Sequence, residues 1–151
     1  SVLKELAAII GRQSVVVVLD VKKSLLGSYE IYIYNGKKKV KKKLEKILSE
    51  LEGIGVGELL INSIDQDGIM KGYDMKLAEN VRDLTSVPIT ILGGAGSSVD
   101  FLTLIDKFKV NGASAGSLFV FKGVYKAVLI NYLTKDTLSK IRKIAAFFRW
   151  K

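Results

Sequence analysis

Residues 14–21 read SVVVVLDV. Four consecutive valines, then Leu19, Asp20 and Val21, make a run that favours extended backbone, because β-branched side chains pack well on a pleated surface. The run is continuous and does not alternate. It therefore suits a strand buried on both faces, as in a parallel sheet. Upstream, Leu3, Leu6, Ala7 and Ile10 recur at helical spacing, and Gly11 supplies a stop. Downstream the strand pattern returns in ELLIN at 58–62, PITIL at 88–92 and, more weakly, VNGASA at 110–115. Amphipathic helical segments lie between these runs. Lysine-rich residues 38–52 are expected to be helical, with Val40, Leu44, Ile47, Leu48 and Leu51 inward and Gly53, Gly55 and Gly57 at the end. A second helix at about 74–84 turns Met75, Ala78, Val81 and Leu84 inward, with Asp74 as its cap. A third carries Val99, Leu102 and Ile105. The last carries Leu138, Ile141, Ala145 and Phe148. Residues 29–34, YEIYIY before Asn35-Gly36, fit a short hairpin. Strands alternating with helices imply an α/β fold with a parallel sheet and crossover helices.

Composition narrows the chemistry. The chain has 151 residues, of which 48% are hydrophobic, with one proline and fourteen glycines. That suffices for one domain with a sizeable core. Cysteine and histidine are both absent. Disulfides and thiolate metal sites are excluded, and so are the commonest zinc ligand and general base. Acid–base work falls to Asp, Glu, Lys or Tyr. No apolar run reaches the roughly 18–20 residues of a membrane span, and a cytoplasmic location is expected. The net charge of +9 would attract anions. Seven lysines fall in residues 37–46. Their interleaved apolar positions read as the solvated face of a helix, and a nucleic-acid-binding module is the less favoured reading.

The chemistry-bearing residues fall where each strand ends. Asp20 follows the first, Asp65 and Asp67 the second, Gly93-Gly94 the third, Gly116-Ser117 the fourth. Parallel α/β proteins place their sites on that edge, because the βα loops open there. Glycine turns allow backbone N–H groups to approach phosphate oxygens, and Ser97, Ser98 and Ser117 add hydroxyls. The DQDG segment lacks the third ligand of a calcium loop, and its twelfth position is Lys76. GGAGSS lacks the GxGxxG spacing of a dinucleotide fold, and no Walker A sequence occurs. No metal or cofactor is expected.

Together, VVVVLDVKK, YNGKK, GELLINSIDQDGIMKGYD, ILGGAGSSVDF and AGSLFVF closely resemble the cyclase subunits of imidazole glycerol phosphate synthases. The resemblance implies strands five to eight of a TIM-type (β/α)8 barrel, with residues 1–151 forming a single C-terminal half-barrel domain, (β/α)4. It implies use of ammonia from a glutaminase subunit. The substrate would be a phosphoribulosyl formimino-aminoimidazole-carboxamide ribonucleotide. The products would be imidazole glycerol phosphate and aminoimidazole carboxamide ribotide. By resemblance Asp20 and Asp67 are catalytic. Asn62, Gly93, Gly94, Gly116 and Ser117 bind substrate or phosphate, and Glu58 belongs to an ammonia gate on the barrel floor. Asn62 stands where the histidine enzymes usually carry threonine, and Leu92 where serine is common. Residues 117–133 also resemble paralogues that aminate sugars for surface polysaccharides. A half barrel leaves open edges and an uncovered face. The chain is expected to pair with a missing N-terminal half or with itself, and to bind phosphate without full turnover when alone.

Overall fold

The computed structural model describes residues 2–123 and 125–149, with the side chains at 145 and 147–149 excluded. The inward placement expected of Ala145 and Phe148 lies outside the described residues. Helix α1 (Val2–Ile10) leads through a 3-10 turn into β1 (Val16–Lys23). β2 (Tyr29–Ile33) and β3 (Lys38–Lys39) follow, then α2 (Leu44–Ile54). The chain then alternates: β4 (Glu58–Ser63), α3 (Met75–Leu84), β5 (Ile89–Leu92), α4 (Ser98–Phe108), β6 (Gly112–Ser114). Beyond them lie the short α5 (Ser117–Val120), a ribbon of β7 (Phe121–Lys122) and β8 (Ala127–Val128), and α6 (Lys135–Arg149).

Among the described residues the main sheet runs β3-β2-β1-β4-β5-β6. β1, β4, β5 and β6 are parallel, in the order the four apolar runs imply. β2 and β3 extend the sheet antiparallel. The β1–β2 ladder covers only Asp20 to Lys23. On that side Val16 to Leu19 have no strand neighbour among the described residues, although β4 pairs with them on the other.

One face of the sheet is filled. Leu19, Val21, Leu59, Ile61, Ile89 and Ile91 meet Leu48 and Leu51 from α2, Leu77 and Val81 from α3, and Leu104 and Ile105 from α4 in one core. Each fully buried Leu or Ile contributes roughly 2 kcal/mol of transfer free energy. The other face is open. Val16 and Val18 are 52% and 58% exposed. The valine run is thus covered on one side, and the both-faces expectation fails because α2, α3 and α4 pack on the face opposite Val16 and Val18.

Three helices differ from expectation. The lysine run is not helical at its start. Val40 N–H donates to the Ile31 carbonyl at 2.8 Å, continuing a ladder, and Lys38–Lys39 form β3. The turn that allows this places Tyr34, Asn35 and Gly36 at positive φ. Helix α2 starts at Leu44 and ends at Gly55, whose φ of 79° provides the left-handed cap; Gly53 lies within the helix. In α4 the buried positions are Phe101, Leu104, Ile105 and Phe108, while Val99 is 61% exposed. In α1 only Ala7 is buried, and Leu6 and Ile10 are largely exposed. No helix among the described residues is long and apolar enough to cross a membrane.

Candidate active site

The even-numbered residues of β1 and β4 face the open side, where side chains alternate along each strand. Register sets Tyr32, Asp20, Asn62, Leu92 and Ser114 side by side across five strands. In this row Asn62 Nδ2 donates to Asp20 Oδ1 at 2.9 Å. The amide holds the Asp20 carboxyl group in place. Asn62 Oδ1 is buried and has no hydrogen-bond partner among the described residues. Such an orphaned acceptor is costly where it stands.

Residues 64–74 fold tightly beside this pair. The Ser63 carbonyl accepts from Gln66 N–H at 3.1 Å and Asp67 N–H at 3.0 Å. Asp65 Oδ2 accepts from Lys23 N–H at 2.8 Å, tying the loop to the end of β1. Asp65 is therefore engaged within the protein, whereas Asp67 lines a cleft. Asp74 caps α3 through Leu77 N–H at 3.0 Å and accepts from the Tyr29 hydroxyl at 2.9 Å. Burial first, then that hydrogen bond and the charges of Asp74 and Asp65, push the Tyr29 phenol well above the ordinary tyrosine range. The Tyr73 hydroxyl donates to the Ser114 carbonyl at 3.0 Å, joining the loop to β6. Its phenol is raised too, chiefly by burial and then by the charge of Asp100.

Asp67, Gly68, Gly93, Gly94, Gly116 and Ser117 line one small cleft, with Met70, Ala95 and Ala115. Five residues singled out in the sequence thus converge. Their glycines have different causes. Gly93 and Gly94 are buried at φ of 99° and 107°. A Cβ on Gly94 would overlap the carbonyl oxygen of Gly72, whose own N–H donates to Gly94 O at 2.8 Å. Packing of the two loops demands that glycine. Gly116 has φ −102°, and nothing lies within 4 Å of a Cβ built there. Neither strain nor crowding requires a glycine at 116, so open access to the cleft is what its missing side chain provides.

Two expected hydroxyls are elsewhere. Ser97 Oγ is engaged with Asp100 Oδ2 at 3.1 Å, and the same oxygen accepts from Gly96 N–H at 2.9 Å and Ser97 N–H at 2.8 Å. These donors serve the start of α4. Ser98 lines a separate groove with Leu118, Phe119 and Tyr132. Glu58 stands at the opposite end of β4 from Asn62, where it accepts from the Thr90 hydroxyl. Nothing in the local sequence around Tyr32 or Tyr73 marks either as a site residue. The alternation in YEIYIY is a signal that Glu30 and Tyr32 share a face, but only the register shows that Tyr32 lies beside Asp20. Among the described residues no cluster of three or more acidic side chains could hold a metal ion.

Fold and rim together define a TIM-barrel-type α/β protein with its polar groups at the C-terminal ends of parallel strands. The chain belongs to the family described as histidine biosynthesis protein, whose profile matches residues 1–126. It is 48% identical over 136 residues to a protein of Leptospira interrogans provisionally named imidazole glycerol phosphate synthase subunit HisF, covering 89% of this chain and 54% of that one. A Vibrio vulnificus protein provisionally named subunit hisF3 is 48% identical over 132 residues, 87% of this chain and 51% of its own length. The imidazole glycerol phosphate synthase subunit HisF of Streptococcus gordonii is 40% identical over 109 residues, 72% of this chain and 43% of its own. The chain spans about half the length of these curated relatives.

Proposed function

We propose that β1, β4, β5 and β6 are strands five to eight of a cyclase barrel, and that the chain carries the C-terminal half of the active site of an imidazole glycerol phosphate synthase. The observation that carries this reading is the convergence of Asp67, Gly93, Gly94, Gly116 and Ser117 on one cleft, next to the Asp20–Asn62 pair. The glycine turns and Ser117 hold one phosphate of the ribonucleotide. Asp20, oriented by Asn62, moves protons at the reacting centre, with Asp67 as the second acid. Ammonia from a glutaminase subunit enters past Glu58 at the other end of the same face. The exposed Val16 and Val18 belong to the barrel interior and are covered by an N-terminal half or by a second copy of the chain.

Combining the chain with the N-terminal half of the Leptospira relative and assaying ammonia-dependent cyclisation tests the proposal. Activity is expected for the pair, with Asp20→Asn lowering turnover by about 100-fold or more. The proposal fails if the isolated chain turns over fully, or if Asp20→Asn leaves the reconstituted rate unchanged.

A second reading, amination of a sugar for surface polysaccharide, is favoured by Asn62 and Leu92 standing in the rim row. The relatives matching at 48% also carry provisional names, while the Streptococcus enzyme matches at 40%. The same pair, given a nucleotide sugar in place of the ribonucleotide, separates the two.

A further inference from the structure

The cleft that the proposed function assigns to phosphate has an unbalanced charge. Among its lining residues only Asp67 is charged, and its sign is the same as that of the ligand. A dianion brought beside a carboxylate is repelled unless a cation offsets it. Helix α5, at the mouth, has four residues and supplies little dipole. None of the residues lining the cleft supplies a balancing positive charge.

Lys126 is placed to supply it. The residue lies in the turn between β7 and β8, where its N–H donates to the Gly123 carbonyl at 3.1 Å. Its side chain reaches back to a loop 58 residues earlier in the chain, and Nζ donates to the Gly68 carbonyl at 3.4 Å. Gly68 is itself part of the cleft wall. The contact is long, and among the described residues it is the hydrogen bond of an ammonium group that carries three N–H donors. Independently, the Lys126 backbone sits at φ 49°, in the left-handed region that favours glycine or asparagine.

We propose that Lys126 is the phosphate-neutralising cation of this cleft, brought to it by the β7–β8 turn. The inference rests on the phosphate reading of the site. Titration with inorganic phosphate, followed by the amide NMR shifts of Gly93, Gly94, Gly116 and Ser117, tests both. Wild-type shifts at these amides are expected. Lys126→Gln should weaken phosphate by about five- to tenfold and flatten its salt dependence, while Lys126→Arg stays within about twofold of wild type. Lys140→Gln, which removes the same charge from α6, should leave affinity unchanged. No shift at the four amides in wild type would overturn the phosphate reading and the role of Lys126 with it. Saturable wild-type binding with equal affinity in Lys126→Gln would overturn the role of Lys126 alone. Equal weakening by Lys140→Gln would reduce the effect to net charge and overturn it too.

Discussion

Replacing Gly94 by alanine should damage the fold, whereas the same change at Gly116 should spare it. At Gly94 two costs combine. A Cβ at φ 107° sits in backbone space held almost entirely by glycine, a strain of about 1–3 kcal/mol. The added carbon also overlaps the Gly72 carbonyl, so the loops must separate and the 2.8 Å bond from Gly72 N–H to Gly94 O is lost, at about 1 kcal/mol. The sum is about 2–4 kcal/mol, which for a domain of this size lowers Tm by about 5–15 °C. At Gly116 the backbone is ordinary and the space empty, so the stability change should stay within about 0.5 kcal/mol. Its new methyl group narrows the mouth of the cleft instead, and phosphate affinity should fall. Thermal melts and phosphate titration of both variants read this out. A Gly94→Ala protein melting within 1 °C of wild type, or a Gly116→Ala protein destabilised as much as Gly94→Ala, would refute the division of the glycines into fold and access roles.

Removing the Asp100 carboxylate with Asp100→Ala takes the acceptor from Gly96 N–H, Ser97 N–H and Ser97 Oγ together. A urea midpoint equivalent to a loss of about 2 kcal/mol is expected, and an unchanged midpoint would contradict it. Tyr29 and Tyr73 hold their protons more tightly folded than unfolded. Their stabilisation is complete below the ordinary tyrosine value of 10.0 and declines as pH rises above it. The drop in urea midpoint between pH 9 and pH 11 should therefore be smaller in the Tyr29→Phe/Tyr73→Phe protein than in wild type. An equal drop in both proteins would argue against the assignment. Val18→Asp puts a charge on the open sheet face, where Val18 is already exposed. Sedimentation velocity should show weaker association with the covering half or copy, and unchanged association would place that partner elsewhere.

Much of the fold was legible because hydrophobic pattern and burial agree in β4, β5 and α3. Leu59, Ile61, Ile89, Ile91, Ala78 and Val81 are all fully buried. The pattern misled where tertiary pairing overrode it. Val40 fits the helical spacing of Leu44, Ile47 and Leu51, yet its N–H completes a ladder to Ile31. Of the expected stripe Val99, Leu102 and Ile105, only Ile105 is buried, and it joins Phe101, Leu104 and Phe108 in the core while Val99 is exposed. At the site, strand-end position alone gathered Asp67 and the glycine turns. It could not separate Ser97, committed to Asp100, from Ser117 on the cleft, because both follow a glycine in similar local sequence. The Asp20–Asn62 bond required register, which a single strand does not encode.

The partial ladder between β1 and β2 sets a limit on assembly. A strand arriving from another chain can add beside Val16 to Leu19, but at Asp20 it meets β2, which already holds the remaining hydrogen-bonding groups on that side. The hairpin therefore works as an end stop. An incoming strand can slide along β1 only until it touches β2, and a one-residue slip would invert its faces. On the proposed reading, the acid on β1 would be aligned with whatever the arriving strand carries by length alone, without any side chain having to recognise its partner.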